Sequence, residues 1–251
     1  MKINICLSGG GARGFAHLGI IHAIQEMGIG INAISGTSAG SIAGAFVAAG
    51  YSPEETKTYF IKQKLFSYLS GAFNTGLLNM DKAAKFYKQY LPATFEELSI
   101  ELFVGATDLL KGETVIFHSG PLIKPIVGAS SIPGLFRPVS FDGKLLLDGG
   151  ILNNLPLEPL LNLPAPILGI HVNPVAEISA PKTTWGILER TFLLGVLSNS
   201  VQRFHRCDLL LEPPKLRDYK VFDYKKGEEI YKIGYDYGIS QEKKIRKMIL
   251  A

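Results

Sequence analysis

The chain has 251 residues, 47% hydrophobic and 19% charged, with a formal net charge of +4, a globular composition large enough to bury a sizeable core. Its two cysteines, Cys6 and Cys207, form no CxxC pair, so neither a disulfide framework nor a cysteine zinc site is expected. The positive excess is mild and no nucleic-acid partner is expected, and the cysteine usage with a short apolar N-terminal run leads us to expect a cytoplasmic setting.

The first predicted strand, Ile3 to Leu7, runs straight into Ser8-Gly9-Gly10-Gly11-Ala12-Arg13-Gly14, and a helix is predicted from Gly14 to Met27. So many glycines between a strand and a helix mean that the backbone comes close to something. Gly9, Gly11 and Gly14 spell the dinucleotide fingerprint GxGxxG. That reading needs an acid about 20 residues on to hold a ribose, and none occurs between Met27 and Pro53. A phosphate-cradling P-loop would need Lys at Phe15 and Ser or Thr at Ala16. The uncharged stretch from Met27 to Pro53 is also long enough by count to span a bilayer. Its Asn32, Ser35, Thr37, Ser38 and Ser41 make it read instead as a buried strand, a turn and a buried helix.

That second strand, Ile31 to Ser35, leads into Gly36-Thr37-Ser38-Ala39-Gly40 and a helix from Ala39 to Ala49. This is GxSxG at a strand-to-helix turn, which pushes the serine Oγ out at the carboxyl edge of a sheet. Gly36 and Gly40 are needed because side chains there would collide. A serine at a helix N-terminus is also placed to favour a developing negative charge. The first glycine loop then acquires a purpose: an attacking Ser38 generates an oxyanion, and Gly9, Gly10 and Gly11 can offer it unshielded N–H groups. Both loops leave the carboxyl ends of their strands, so they can share one crevice.

Further along, Ser52-Pro53-Glu54-Glu55 starts a helix predicted from Pro53 to Leu69. The stretch from 53 to 79 is rich in aromatics interleaved with lysines, and reads either as an amphipathic core helix or as a lipid-facing flap. A helix from Asp81 to Tyr90, strands from Leu102 to Thr107 and Thr114 to His118, and a helix from Pro121 to Gly128 follow. Asp142-Gly143 is a hairpin turn feeding a strand, Leu145 to Leu147, that ends in Asp148-Gly149-Gly150. The remaining elements are strands Ile167 to Val172 and Asp208 to Leu211 and helices Thr184 to Arg206, Glu228 to Tyr237 and Gln241 to Ile249. In the first of these helices Trp185, Leu188, Phe192, Val196 and Phe204 recur at roughly helical spacing and are expected to pack in the core, with a membrane face as the alternative. Lys215, Arg217, Lys220, Lys225 and Lys226 read as solvated surface, with attraction to anionic lipid as the alternative. Strands alternating with helices predict a three-layer α/β/α fold with a mainly parallel sheet, in a single domain over residues 1–251.

A serine nucleophile needs a base. Ser38, Asp148 and His171 could form a triad in the chain order of the α/β-hydrolases, although in those proteins the nucleophile follows several strands and here it follows the second. His17 and His22 lie within a helix and read as packing or surface residues. Asp148, at the end of a buried strand beside two glycines, is the competing base.

GGGARG, GTSAG and DGG in this order, with Ala129-Ser130-Ser131-Ile132-Pro133-Gly134-Leu135-Phe136 ahead of the third, resemble the patatin-like phospholipase family in its compact bacterial form, over residues 3 to about 172. The resemblance implies a Ser38 and Asp148 dyad without histidine. It also implies an oxyanion hole from the loop Gly9, Gly10, Gly11, Arg13 and Gly14, with Arg13 in the family's basic position. Hydrolysis of lipid acyl esters without calcium, metal or other cofactor follows from it, with a lipid ester as the partner and contact with a membrane surface as an accompanying expectation.

Overall fold

A computed structural model describes residues 1–62, 80–177, 180 and 183–250, without the side chains at 185 and 189. Its eight strands form one sheet. β1 (Lys2–Leu7) is central, with β2 (Gly30–Thr37) on one side and β7 (Ile167–Ile170) on the other, both parallel to it. β8 (Leu209–Leu211) extends the parallel set beyond β7, and β3 (Glu101–Asp108) extends it beyond β2. Strands covered on both faces carry apolar residues at successive positions, and β1 does so. Ile3, Ile5 and Leu7 enter the large core, while Cys6 faces a smaller one with Ala33, Phe103, Leu155 and Ile167.

The other face of the sheet carries α1 (Phe15–Glu26) and α2 (Ala39–Ala48). α1 is buried on nearly every side because α7 (Gly227–Ser240) covers it. A Cβ on Gly19 would lie 2.1 Å from the Tyr231 carbonyl oxygen, and one on Gly234 would lie 2.3 Å from that of Ala16, so both glycines are required by the close crossing. α3 (Pro53–Lys62) opens with a reciprocal capping box, Ser52 Oγ accepting from the Glu55 amide and Glu55 accepting from the Ser52 amide. The rest of the helix predicted to Leu69, and residues 63–79 of the flap or core-helix stretch, lie outside the described residues. The described part packs inward: Phe60 is buried against Phe46 and Phe86. α4 (Asp81–Tyr90), α5 (Ile123–Ala129), α6 (Thr184–Phe204) and α8 (Glu242–Leu250) complete the helices. No helix among the described residues is long and apolar enough to cross a membrane.

The antiparallel part of the sheet positions the chemistry. β4 (Glu113–Phe117) takes one edge of β3 over Val104–Asp108. The opposite edge is therefore shared end to end, β2 pairing with Glu101–Gly105 and β6 (Lys144–Asp148) pairing with Ala106–Asp108. Thr37, the last residue of β2, sits opposite Gly105, and Asp148 sits opposite Ala106. The ends of two strands distant in sequence thus abut. β6 is reached through a hairpin from β5 (Val139–Phe141), a strand too short for its alternation to be read in the sequence. Asp142 and Gly143 turn it with φ of 49° and 69°, the positive values a tight hairpin requires.

α6 departs from its expected packing. Val196 is buried, but Leu188 is 56% exposed, together with Ile187, Leu194 and Val201. The helix carries apolar residues around its circumference, and one face can turn to the body. The side chain of Trp185 lies outside the described residues.

Candidate active site

The turn from β2 into α2 holds Ser38 at φ 49° and ψ −128°, a backbone region costing on the order of 1–3 kcal/mol for a non-glycine residue. It survives because the surroundings leave no alternative. The Ser38 amide donates to the Ala129 carbonyl at 3.0 Å, and its carbonyl accepts from the Ile42 amide and the Ser41 hydroxyl. A Cβ on Gly36 would meet the Gly40 backbone at 2.7 Å, and one on Gly40 would meet the Leu7 carbonyl oxygen at 2.4 Å. Both glycines flanking the serine are therefore sterically required.

Ser38 Oγ donates to Asp148 Oδ2 at 2.6 Å, and the Gly150 amide donates to Oδ1 at 2.8 Å. The carboxylate is 3% exposed. Burial raises its pKa from 3.8 to about 6, and the Ser38 and Gly150 hydrogen bonds oppose the shift. The backbone of Asp148 is anchored too, its amide donating to the Ser131 carbonyl and its carbonyl accepting from Thr107 Oγ1. Glycine is required at 149, where a Cβ would lie 2.3 Å from both the Gly105 carbonyl oxygen and Thr37 Oγ1. The two strand ends could not otherwise meet.

The loop after β1 lies alongside. A Cβ on Gly9 would be 3.0 Å from that of Ser38, and one on Gly14 would be 2.6 Å from that of Ala39. The Ala12 amide donates to the Val221 carbonyl and the Arg13 amide to that of Gly10, whereas no protein acceptor among the described residues takes the amides of Gly10 and Gly11. Arg13 is buried and turned away to the C-terminal segment, Nε and Nη2 both donating to the Tyr219 carbonyl at 2.8 and 2.6 Å. The guanidinium fastens the loop to residues 219–221.

Two cavities meet at Ser38. One is lined by Phe15, Leu18, Ile42, Phe60, Ile132 and Phe136 and is almost wholly apolar. The other is bordered by Gly10, Asp148, Asn154, Asn173, Phe192 and Val221. Asn154 and Asn173 escape sequence reasoning, as does Asn199 of α6, which accepts from the Asn154 amide and donates to the Gly150 and Ile151 carbonyls. An asparagine after a strand looks like any turn residue.

No histidine reaches the pair. His171 is buried, Nδ1 2.6 Å from Glu212 Oε1 and its ring against Phe204. His17 Nε2 donates to the Ser8 carbonyl, and burial lowers the pKa of this residue to about 4. His22 lies between Tyr231 and Glu54, His118 stacks near Phe103, and His205 is exposed at the end of α6. Among the described residues no cluster of His, Cys, Asp and Glu converges as metal ligands would.

Compared with known proteins, residues 5–161 match a family model described as patatin-like phospholipase. The chain is 36% identical over 168 residues to an uncharacterised NTE-family protein of Mycobacterium tuberculosis, covering 65% of this chain and 47% of that protein. It is 29% identical over 282 residues to lysophospholipase NTE1 of Candida glabrata, covering 94% of this chain and 16% of that one. It thus spans less than half the length of these relatives. Among solved structures, VipD from Legionella pneumophila superposes with a TM-score of 0.57 at 16% identity, over 96% of this chain and 67% of that one. Human GIVD cytosolic phospholipase A2 in complex with methyl gamma-linolenyl fluorophosphonate and terbium chloride gives 0.53 at 14% identity, over 99% and 59%. At those identities the likeness is one of fold.

Proposed function

This chain belongs to the patatin-like phospholipase family, and from that premise we propose that it is a serine acyl hydrolase whose nucleophile is Ser38 and whose base is Asp148. The observation that carries the reading is the 2.6 Å hydrogen bond from Ser38 Oγ to a buried carboxylate with a pKa near 6. A carboxyl group raised towards the working pH is a stronger base than an ordinary one and is still ionised at pH 7.

In the first half-reaction Oγ bonds to the ester carbonyl carbon as its proton passes to Asp148 Oδ2. The carbonyl oxygen becomes anionic and accepts from the amides of Gly10 and Gly11. The tetrahedral adduct then collapses, breaking the bond to the leaving alcohol, which takes the proton from Asp148. A water repeats the sequence on the acyl-enzyme, with Asp148 again the proton acceptor, and the fatty acid leaves as Oγ is reprotonated. The apolar cavity suits the acyl chain, and the cavity with Asn154 and Asn173 suits the leaving group.

Lipid esters are the substrate class this arrangement supports: phospholipids, lysophospholipids or acylglycerols. The relatives called lysophospholipases favour the second. Contact with a membrane surface is part of the same proposal. Ile187, Leu188, Leu194 and Val201 are exposed on α6, whose Phe192 and Val196 border the Ser38 crevice. A panel of acyl esters, from p-nitrophenyl butyrate to lysophospholipid vesicles, tests the substrate class, and co-sedimentation with the same vesicles tests the surface. Rates equal to those of Ser38→Ala on every ester would overturn the reading.

The glycine loop yields a further prediction. A Cβ on Gly10 would lie 2.5 Å from Val172 Cγ2 and 3.1 Å from Asn173 Oδ1, and buried Val172 cannot swing aside. Gly10→Ala is expected to push the loop off its geometry and lower kcat by about 100-fold with little change in KM. Steady-state kinetics on one soluble ester checks this. Unchanged kcat with a new defect in nucleotide binding would restore the dinucleotide reading.

A further inference from the structure

Whatever holds the carbonyls of the glycine loop also aims its amides. In a trans peptide the C=O of one residue and the N–H of the next share a plane and point in opposite directions. A bond that pins the Gly9 carbonyl therefore fixes the direction of the Gly10 N–H. Two side chains pin it, Asn173 donating from Nδ2 at 2.6 Å and Ser8 from Oγ at 3.0 Å. Ser8 is held in turn, its Oγ accepting from the Val172 amide and its carbonyl accepting from His17 Nε2.

Asn173 carries the shorter of these bonds from outside the loop. It lies beyond the end of β7, is 1% exposed, and borders the same cavity as Ser38, Asp148 and Gly10. Its Oδ1 is buried with no hydrogen-bond partner among the described residues. An unpaired buried carbonyl oxygen is destabilising, so the residue is not there to satisfy its own amide. What the position supplies is a neutral, planar N–H donor to Gly9. Aspartate could not donate when ionised, and a lysine or arginine would set a cation beside the Asp148 carboxylate.

We propose that Asn173 is a positioning residue of the oxyanion hole, holding the Gly9–Gly10 peptide so that the Gly10 N–H faces the oxygen that becomes anionic. The proposal rests on the reading of Ser38 as nucleophile and of the loop as its oxyanion donor. It adds a residue 164 positions from Gly9 in sequence on which the strength of that donor depends.

Asn173→Leu keeps the volume and removes the donor. It is expected to lower kcat by about 10- to 100-fold, a part of the effect of losing an oxyanion donor outright, while KM stays within about twofold. The dissociation constant of a trifluoromethyl ketone, which forms a tetrahedral adduct on the serine, is expected to rise by the same factor as kcat falls, because both report the oxyanion. A purely structural role would instead shift KM and the melting temperature and leave no such proportionality. Asn173→Ala, which fits any backbone, serves if the leucine variant does not fold. Unaltered kcat in a folded variant, or a kcat loss with unaltered ketone affinity, would overturn the role of Asn173 alone. A wild-type protein that fails to bind the ketone at Ser38 would overturn the nucleophile reading, and this role with it.

Discussion

Intact-mass spectrometry after treatment with a fluorophosphonate is expected to show a single adduct that vanishes in Ser38→Ala, and the same substitution is expected to lower ester hydrolysis by about 10⁴-fold or more. Other serines range from exposed to buried, and three buried ones, Ser41, Ser130 and Ser131, lie within three residues of Ser38 or of Ala129, whose carbonyl the Ser38 amide donates to, so the expectation is specific. Each of those three donates its hydroxyl to a backbone carbonyl. Ser38 alone among them donates to a carboxylate and stands where two cavities meet. Alanine adopts the same backbone and removes one oxygen, so the loss is chemical. An adduct on another residue, or turnover persisting in Ser38→Ala, would reject the assignment.

Asp148→Asn is expected to be as damaging, with turnover down by about 10⁴-fold, because an amide of nearly the same shape cannot take the Ser38 proton. His171→Ala is expected to stay within about tenfold, or about 1.4 kcal/mol of barrier, since His171 is engaged with Glu212. The reverse pattern would replace the dyad with a triad.

The pH profile follows from the same group. The base must be ionised, so kcat/KM is expected to fall about tenfold per pH unit below about 6 and to be level above it. Stability runs the other way. With a folded pKa of about 6 against 3.8 for the ordinary group, the folded chain binds this proton more tightly than the unfolded chain. The stabilisation is complete at low pH and is lost as pH rises through that window. At pH 7 the carboxylate thus lowers stability by on the order of 3 kcal/mol, and Asp148→Asn is expected to melt higher than wild type while being inactive. A variant that is both inactive and less stable at pH 7 would contradict the burial argument.

Much of this was legible because it is local. The strand, glycine turn and helix around Ser38 need only the steric demands of residues a few positions apart, so GTSAG between an apolar strand and an apolar helix already dictates the elbow. The glycine loop is equally local. The expectation that it serves something other than a nucleotide rests on an absence, the missing acid before Pro53. Asp148 could be picked out as an acid ending a buried strand before two glycines, though the same pattern would suit a helix cap, and the Gly150 amide does donate to it in that way. Resemblance to the family, more than spacing, favoured the pair.

What the sequence by itself determined was the order and kind of most elements, the short β5 excepted, together with the two turns at the carboxyl ends of β1 and β2, since backbone sterics and apolar periodicity act within a few residues. What only the tertiary structure decided was who meets whom. Ser38 and Asp148 touch because β6 enters antiparallel and shares one edge of β3 with β2. Arg13 turns away from the crevice because a carbonyl 206 residues further along the chain takes its guanidinium. Asn173 reaches Gly9 because β7 lies beside β1. Each is a hydrogen bond between groups brought together by sheet order, and sheet order is set by the packing of the whole core, to which no short stretch of residues holds the key.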